Sequence, residues 1–440
     1  MTIKKLSIAF LVLQSLSFNL LAQKEDISNA LKNNINDLEK MYLELHKNPE
    51  LSLQETQSSK RMSAELRSAG LEVFENFGGG VVGILKNGDG PKILVRADMD
   101  ALPVKEETGL PYSSTKKMKD AAGKEVDVMH ACGHDMHMTV FAGVAKTMAA
   151  LKKNWKGTII FVGQPAEEIV VGAKAMMDNG LYAKFGRPDY CLGLHVSSSL
   201  PAGQIGYCPE YMMANVNSVN ITVLGEGGHG AYPHLTKDPV VIASRLVLDL
   251  QTIVSREISA IEPAVITVGT IHGGTKRNIV PNEVNLELTV RTYSEATKQA
   301  VLEKIKTKAK AAAMSAGLPE SKYPIVFITP EESPAVYNNP ELTNKTVEFF
   351  KQSIGNQNVV KVPPVMVSED FGRFGDDVTP KIPVFLYWLG SVDPKRIEQF
   401  KAENRTLPTL HSSTYYPLPR PTIETGVTTM CSGLMGLMKN

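Results

Sequence analysis

Short apolar strands alternate with helical segments between residues 81 and 196, and this alternation is the strongest constraint on the fold. The helical pattern covers residues 139–152 and 174–179. Strands that alternate with helices form a mostly parallel sheet covered by helices on both faces. We therefore expect an α/β domain, and its predicted strands are residues 81–85, 92–100, 157–163 and 190–196.

The rhythm changes between residues 214 and 329. There a strand pattern is followed by a long amphipathic helix at residues 238–258, two strands, a second helix at residues 294–316 and a last strand. The order βαββαβ is that of the split βαβ, or ferredoxin-like, unit. Because 440 residues exceed one ordinary core, we expect two domains. The predicted division is a catalytic domain at residues 23–213 and 330–440 and an inserted α+β domain at residues 214–329.

The first 22 residues have the pattern of a secretory signal peptide. Lys4 and Lys5 precede an apolar run over residues 6–21, which ends at the small residue Ala22. A membrane-anchoring helix is the alternative, but the run is short and is interrupted by serine and asparagine. We therefore expect a periplasmic or secreted mature protein without a stable membrane span.

Charge and cysteine content exclude some classes of function. The formal net charge is +1, whereas a nucleic-acid-binding protein would carry a basic stripe. The chain has four cysteines, whose spacing matches no structural zinc motif, and a chain of this size does not need a disulfide framework. A disulfide among Cys191, Cys208 and Cys431 stays open, and Cys132 is the cysteine with a chemical context.

Two pairs of residues indicate a metal site with a base beside it. Cys132 and His134 are two residues apart in a glycine-containing turn before a helix, and thiolate and imidazole are metal ligands. Glu167 and Glu168 follow an apolar strand, where two carboxylates are costly unless they are paired or bound to metal. One glutamate can ligate while the other accepts a proton from water.

Other polar residues fall at predicted strand ends or in a loop. Asp98, Asp100 and His195 lie at strand ends, and His411 lies in a loop rich in serine, threonine and tyrosine. Because ligands gather at the carboxyl ends of parallel strands, we expect the strand-end residues to share one edge of the sheet. His195 and His411 are each weak signals alone. The histidines that flank the Cys132 turn, at 130 and 137, are interpreted as supporting or solvent-facing polar residues.

The inserted domain contributes three candidate residues. His229 lies in a glycine-rich loop and can donate a hydrogen bond to a developing oxyanion. Asn278 follows a second glycine-containing turn. Arg291 ends a strand, and arginine binds carboxylates in a bidentate manner, although a surface ion pair is an equal alternative.

Taken together, these motifs resemble the zinc/manganese-type aminoacylase and carboxypeptidase superfamily. The branch most similar is that of hippurate hydrolase, N-acyl-amino-acid amidohydrolase and plant auxin-conjugate hydrolase. The matching stretches follow the family's order along nearly the whole mature chain. They read LHKNPELSLQET, RADMDALP, MHACGHDMHMT, GQPAEE, GLH, GGHGAYPH, GGTKRNIVP, TVRT, VSEDFG and LHSSTYY.

The resemblance implies a role for each candidate. It implies two divalent ions per subunit, zinc or manganese, with cobalt or nickel as alternatives, and a zinc-exopeptidase-like catalytic domain. Cys132 falls at the position that can bridge both ions, Glu167 at the general base and Asp100 at an aspartate that orients the site. Asp98 falls where distant relatives have a metal histidine, so its role is open. The implied metal ligands are Cys132, His134, Glu168, His195 and His411.

The resemblance also implies how the inserted domain takes part. His229 matches a histidine that polarises the scissile carbonyl, often across a dimer, and Asn278 and Arg291 match residues that hold the substrate carboxylate. The inserted domain is the lid and the usual dimerisation surface in relatives, so a homodimer is expected.

We therefore expect a metal-dependent amidohydrolase that cleaves N-acyl amino acids by attack of water held between the two ions, with Glu167 as base. A carboxypeptidase or dipeptidase acting on short peptides is the alternative within the same chemistry. A metal-free binding protein on the same scaffold is disfavoured, because all five ligand positions are filled.

Overall fold

The computed structural model describes residues 24–439, so the predicted signal peptide lies outside the described residues. Residues 24–32 are helical. The later helices are α1 Ile35–Lys47, α2 Thr56–Ser68, α3 His134–Ala150, α4 Gly172–Asp178, α5 Leu181–Phe185, α6 Pro239–Thr252, α7 Glu295–Ser315, α8 Pro340–Ile354, α9 Arg373–Asp376, α10 Pro394–Ala402 and α11 Pro419–Leu437. None of these described helices is both long and apolar enough to cross a membrane.

The strands alternate with these helices along the chain. They are β1 Glu72–Phe77, β2 Gly80–Asn87, β3 Lys92–Asp98, β4 Lys117–Lys119, β5 Glu125–Asp127, β6 Gly157–Gln164, β7 Tyr190–Pro201, β8 Ile205–Tyr207, β9 Glu210–Met213, β10 Val216–Leu224, β11 Gly228–His229, β12 Ala264–Gly273, β13 Ile279–Val280, β14 Glu283–Thr292, β15 Ile325–Ser333, β16 Val336–Asn338, β17 Val359–Lys361 and β18 Val384–Val392.

The chain divides into two compact units. The first unit contains the chain up to Glu210, the segment Tyr337–Pro363 and the chain from Arg373 onward, and the second contains Tyr211–Val336 and Pro364–Gly372. The second unit therefore extends slightly beyond the expected residues 214–329. Residues 364–372, which were expected in the other domain, lie in the second unit, because backbone hydrogen bonds tie this segment to it. Val365 N donates to Met212 O at 3.0 Å, and Ala214 N donates to Val367 O at 2.9 Å.

The first unit is built on a mixed sheet with a parallel centre. Part of this sheet has the strand order β1-β2-β6-β3-β7-β18, in which β6, β3, β7 and β18 run parallel to one another. β1 and β2 extend the sheet antiparallel. The α/β prediction is confirmed, and the carboxyl ends of β3 and β6 open at the same edge.

Two helices of this unit are buried on most sides. In α3 nearly every residue from His134 to Met148 is buried, and α11 is buried in the same way. At Gly143 of α3 an added Cβ would lie 2.6 Å from Val427 of α11 and 2.9 Å from Leu38 of α1. A helix that is buried on all sides lacks the apolar stripe, with a period of 3.6 residues, by which an amphipathic helix is recognised. For this reason the predicted start of α3 was five residues too late, and α11 was not predicted.

The second unit has the order βαββαβ that was predicted. Its sheet has the antiparallel strand order β12-β14-β10-β15. Helices α6 and α7 pack on this sheet. Their buried apolar residues form one cluster with the inward-facing residues of the strands. Asp238 caps α6 by accepting from Val240 N at 2.9 Å, and Ser294 caps α7 by accepting from Thr297 N at 3.1 Å.

Candidate metal centre

Four of the predicted ligands meet around the thiol of Cys132. Its Sγ lies 3.5 Å from Nε2 of His195 and 3.3 Å from Nε2 of His411. The same nitrogen of His411 lies 3.4 Å from Oε2 of Glu168. These side chains come from the α3 turn, strand β7, the loop before α11 and the turn after β6, so the fold brings together residues up to 279 positions apart.

The fifth predicted ligand, His134, lies among carboxylates. Its Nε2 is 3.8 Å from Oε1 of Glu168, 3.9 Å from Oε2 of Glu167 and 3.6 Å from Oδ2 of Asp98. Ligand atoms of His134, Glu167 and Glu168 all lie within 4.8 Å of one another, as do those of Cys132, His134 and His195. Spacing of this kind lets two neighbouring cations share donors.

Local backbone geometry aims these side chains. Gly133 has φ +77°, and an added Cβ would lie 2.6 Å from Cγ2 of Val196, so only glycine fits between Cys132 and His134. His134 is the first residue of α3 rather than a residue of the preceding turn. His411 also has positive φ, at +66°, and its N–H donates to Ala131 O at 2.9 Å. That bond fixes the loop of His411 beside the cysteine.

The hydrogen bonds of two histidines determine which ring nitrogen is available to a metal. Nδ1 of His134 lies 2.8 Å from the carbonyl oxygen of Asp100, and Nδ1 of His195 lies 2.9 Å from that of Val196. A carbonyl only accepts, so Nδ1 carries the proton and Nε2 presents its lone pair. Both lone pairs therefore face the other donors, as metal ligation requires.

The charges around these atoms favour a cation. Burial, together with Glu168 and Glu167, raises the pKa of the Cys132 thiol well above its usual value. Burial raises the pKa of Glu168 to about 7. Burial alone would lower the pKa of His134, but nearby carboxylates, Asp98 foremost, raise it to about 10. A divalent ion would supply the positive charge that these groups otherwise take from protons.

Unpartnered polar atoms point to the same conclusion. Nε2 of His134 and Oε1 of Glu168 are buried and have no hydrogen-bond partner in the described part of the chain. Buried polar atoms are nearly always satisfied. The thiol, imidazole and carboxylate donors thus fit divalent metals, and the residues that could hold them are Cys132, His134, Glu168, His195 and His411.

Asp100 organises the glutamate pair. Its Oδ1 accepts from Glu167 N at 3.1 Å, and its Oδ2 accepts from Glu168 N at 3.0 Å and from Ser52 Oγ at 2.6 Å. Burial would raise the pKa of this carboxyl, but hydrogen bonding to His134 and Ser52 lowers it. An aspartate in this position orients both the glutamates and the His134 ring.

Asp98 is engaged by two other protein groups. Its Oδ2 lies 2.6 Å from Nη1 of Arg96, and its Oδ1 lies 2.5 Å from Nδ1 of His137. His137 in turn accepts from Val196 N at 2.8 Å, so it links Asp98 to strand β7 beside His195. His137 and His130 are both buried, so the solvent-facing interpretation of them was wrong. Asp98 therefore lies in a buried network with Arg96, His134 and His137, and its carboxylate also groups with these two histidines as possible metal ligands.

A buried network next to α3 was not predicted from the sequence. His46 of α1 places Nδ1 2.6 Å from Oδ2 of Asp135 and Nε2 3.1 Å from Oε1 of Glu106. Burial lowers the pKa of His46, yet hydrogen bonds to Asp135 and Glu106 raise it to about 9. Asp135 directly follows His134, one of the predicted ligands. The histidine lies within the LHKNPE motif, but its neighbours in sequence gave no sign of its two partners.

The remaining predicted residues lie in the second unit. His229 is exposed, and its Nδ1 accepts from Ala231 N at 3.0 Å, which leaves the ring proton on Nε2. Asn278 lies beside it, since its carbonyl accepts from Gly230 N at 2.9 Å. Arg291 on β14 is half-buried and donates from Nη1 to Met366 O at 3.1 Å and lies 3.3 Å from Ser368 Oγ.

Curated relatives of this chain include several hydrolases. A hippurate hydrolase of Campylobacter jejuni is 38% identical over 344 residues, which are 77% of this chain and 85% of that protein. An N-acetyldiaminopimelate deacetylase of Limosilactobacillus reuteri is 35% identical over 90% of this chain and 97% of its own length. A thermostable carboxypeptidase of Saccharolobus solfataricus is 33% identical over 84% of this chain and 91% of its own length.

A solved structure and a family model agree with these relatives. A Bacillus subtilis dinuclear metal-binding peptidase of the M20 family superposes with a TM-score of 0.74 and 26% identity, over 92% of this chain and 99% of that one. The model of peptidase family M20/M25/M40 matches residues 94–414, which include every predicted site residue of both units. With its donor cluster, its mixed α/β fold and these matches, the chain belongs to peptidase family M20/M25/M40.

Proposed function

We propose that this protein is a metal-dependent amidohydrolase that cleaves the amide bond of N-acyl amino acids. The observation that carries this proposal is the cluster of thiol, imidazole and carboxylate donors with a second glutamate, Glu167, beside the ligand Glu168. Members of the family hydrolyse amide or peptide bonds, and two of the named relatives are N-acyl-amino-acid hydrolases. Zinc or manganese suits this donor set, with cobalt or nickel as alternatives.

The geometry separates the two glutamates. Glu168 lies within 3.4–3.8 Å of both His411 and His134, and its carboxylate groups with Cys132 and His411. Glu167 lies 3.9 Å from His134, and its carboxylate also groups with two other carboxylates, those of Asp98 and Glu369. We therefore assign Glu168 as ligand and Glu167 as base. When bound, the metal ions would lower the pKa of water and polarise the carbonyl. Glu167 takes the proton from the attacking water and passes it to the leaving nitrogen.

Three residues of the second unit can donate hydrogen bonds to the polar groups of the substrate, which are the scissile carbonyl and the carboxylate. His229 carries its ring proton on an exposed Nε2, so it can donate to a developing oxyanion. Burial lowers the pKa of Arg291, and within residues 24–439 its observed partners are neutral oxygens rather than a carboxylate. A guanidinium with neutral partners remains able to bind the substrate carboxylate, with the side chain of Asn278 as a second donor.

The substrate class is tested by a turnover screen of the metal-loaded enzyme. N-acetyl, N-benzoyl and indoleacetyl amino acids are compared with dipeptides, and we expect the N-acyl amino acids to have the higher kcat/KM. Arg291→Met should raise KM for an N-acyl amino acid but not for its carboxamide, while Arg245→Met, at an exposed arginine of α6, is the control. Equal activity toward acid and carboxamide in the parent would refute carboxylate recognition.

A carboxypeptidase or dipeptidase is the second candidate, and the Saccharolobus relative favours it. Faster turnover of dipeptides than of any N-acyl amino acid in the same screen would establish it. We also propose that the protein is periplasmic or secreted, since residues 1–22 have a signal-peptide pattern. Amino-terminal sequencing of the mature protein is the test, and a start near residue 23 is the expected result.

We further propose a homodimer through the second unit. β12 is an edge strand, and Val241 and Leu248 of α6 are 56% and 70% exposed on one helix face. Leu248→Glu should shift sedimentation toward monomer. Ile325→Glu, an equally apolar exposed site on the opposite edge strand β15, should not.

A further inference from the structure

A carboxylate outside the predicted site holds the turn that carries the glutamate pair. Glu55 is 5% exposed, and its Oε1 accepts the N–H of Ala166 at 2.7 Å. Ala166 directly precedes Glu167 and has φ +50°, a left-handed conformation that residues with a Cβ rarely adopt. Val170, at φ +51°, is the other residue of this turn with positive φ. The bond from Glu55 therefore supports the left-handed residue that directly precedes the glutamate pair.

Glu55 and Asp100 together bind three consecutive amides. Glu55 accepts from residue 166, and Asp100 accepts from residues 167 and 168 at 3.1 and 3.0 Å. Successive N–H groups that face one side form a concave anion-binding surface, and here two carboxylates occupy it. The carbonyl side of the turn is satisfied within the turn itself, since Val170 N and Gly172 N donate to the oxygens of Glu167 and Ala166.

A second carboxylate beside Asp100 in this buried position is energetically unfavourable. Burial, followed by repulsion from Asp100, raises the pKa of Glu55 to about 7. A cavity of about 310 Å³ is lined by Glu55 and by Pro165, which precedes Ala166. Without the carboxylate, water in that cavity would reach the amide of Ala166. A buried acid in an unfavourable place is explained if its contact with the turn is needed.

We propose that Glu55 is a positioning residue that keeps Ala166 in its left-handed conformation and so directs Glu167 and Glu168 toward the metal centre. This inference rests on the roles proposed above for the two glutamates. The carboxylate also accepts backbone hydrogen bonds from Leu53 and from Glu55 itself, but Oε1 is the atom that accepts the N–H of Ala166. The acceptor oxygen therefore performs the proposed function. Replacement that keeps an oxygen at this position should therefore be tolerated, and replacement without one should not.

The test compares Glu55→Gln and Glu55→Leu in the full-length enzyme. Glu55→Leu should lower kcat by roughly 10- to 100-fold with KM nearly unchanged, since small misplacement of a reacting group has effects of that size. Glu55→Gln should keep kcat within about threefold of the parent, because its amide oxygen still accepts from Ala166. A Gln variant as impaired as the Leu variant would overturn the proposal.

Amide hydrogen exchange measures how strongly Glu55 stabilises the turn, independently of catalytic activity. The amide of Ala166 should exchange faster in Glu55→Leu and at the parent rate in Glu55→Gln. Unchanged protection in the Leu variant would overturn the proposal whatever its activity. If Glu167 proved not to be the base, this exchange pattern would still report whether Glu55 holds the turn.

A second substitution and a matched control complete the design. Glycine adopts positive φ without strain, so Ala166→Gly added to Glu55→Leu should restore kcat at least about threefold. No restoration would overturn the proposed hold on Ala166. The control is Glu50→Leu. Glu50 is also buried, but its carboxylate accepts the backbone N–H groups of Gln57 and Ser58 in α2, each at 2.8 Å, and not that of Ala166. It should lower thermal stability and leave the amide exchange of Ala166 unchanged.

Discussion

The buried His46 network predicts a specific dependence of stability on pH. His46 lies between Asp135 and Glu106, with the hydroxyl of Tyr42 3.4 Å from Nδ1 and the ring of Tyr112 against it. Burial alone would lower its pKa, but Asp135 and Glu106 raise it from 6.5 to about 9. At about 1.4 kcal/mol per pH unit, that difference corresponds to about 3 kcal/mol of folding free energy.

The sign follows from which state binds the proton more tightly. The folded protein holds the proton of His46 more tightly than the unfolded chain does, so the stabilisation is complete below pH 6.5. It is lost as the pH rises through about 9. The parent should therefore lose about 3 kcal/mol more between pH 6 and pH 9.5 than a variant without this histidine.

Urea denaturation of the parent and of His46→Gln, at intervals across this pH range, measures the difference. Both tryptophans, Trp155 and Trp388, belong to the first unit, so their fluorescence reports on the unit that contains His46. His272→Gln, at an exposed histidine of the second unit, should match the parent. Parallel curves for parent and His46→Gln would refute a charged His46.

Three further substitutions address the metal centre. Glu167→Gln should keep the metal but lower turnover by roughly 10²- to 10⁴-fold, since it removes a general base; retained turnover would remove Glu167 from that role. Cys132→Ala should lower the metal content measured by elemental analysis, and unchanged stoichiometry would mean that the thiol is not a ligand. Asp100→Asn places an NH₂ group against one of the two backbone donors, so it should reduce the free energy of unfolding by about 2 kcal/mol in urea. Unaltered stability would show that the carboxylate does not hold the turn.

Periodicity predicted the fold best where elements have one buried face. The order βαββαβ followed from strands and amphipathic helices of that kind. The α/β class followed instead from short continuous apolar strands, which are buried on both faces and alternate with helices. Helix α11 was missed because it is buried all around and includes glycine, serine and threonine. His195 was expected at a strand end, but β7 continues to Pro201. His195 lies two residues after Gly193, the last residue of β7 that pairs with β3.

The predicted site residues came from motifs, and the structure brings the five implied ligands of the first unit together. Their supports were not predictable in the same way. His46, Glu55 and His137 act through partners 89, 111 and 39 residues away, and no local pattern encodes such pairs. Hydrogen bonds between buried groups that are far apart in the chain form only when the fold is complete, so local sequence patterns do not reveal them.

The carboxylates of the site can be sorted by the partners that the protein gives them. Asp98 and Asp100 are as buried as any group here, yet Arg96, histidines and backbone N–H groups keep their pKa values low. Glu168 lacks such donors at Oε1, and burial raises its pKa instead. A carboxylate that the fold already neutralises gains little from a metal ion, whereas one that it leaves unsatisfied gains most. On this criterion, Asp98 and Asp100 are the carboxylates that the protein itself already stabilises, and Glu168 is the one that would gain most from a bound cation.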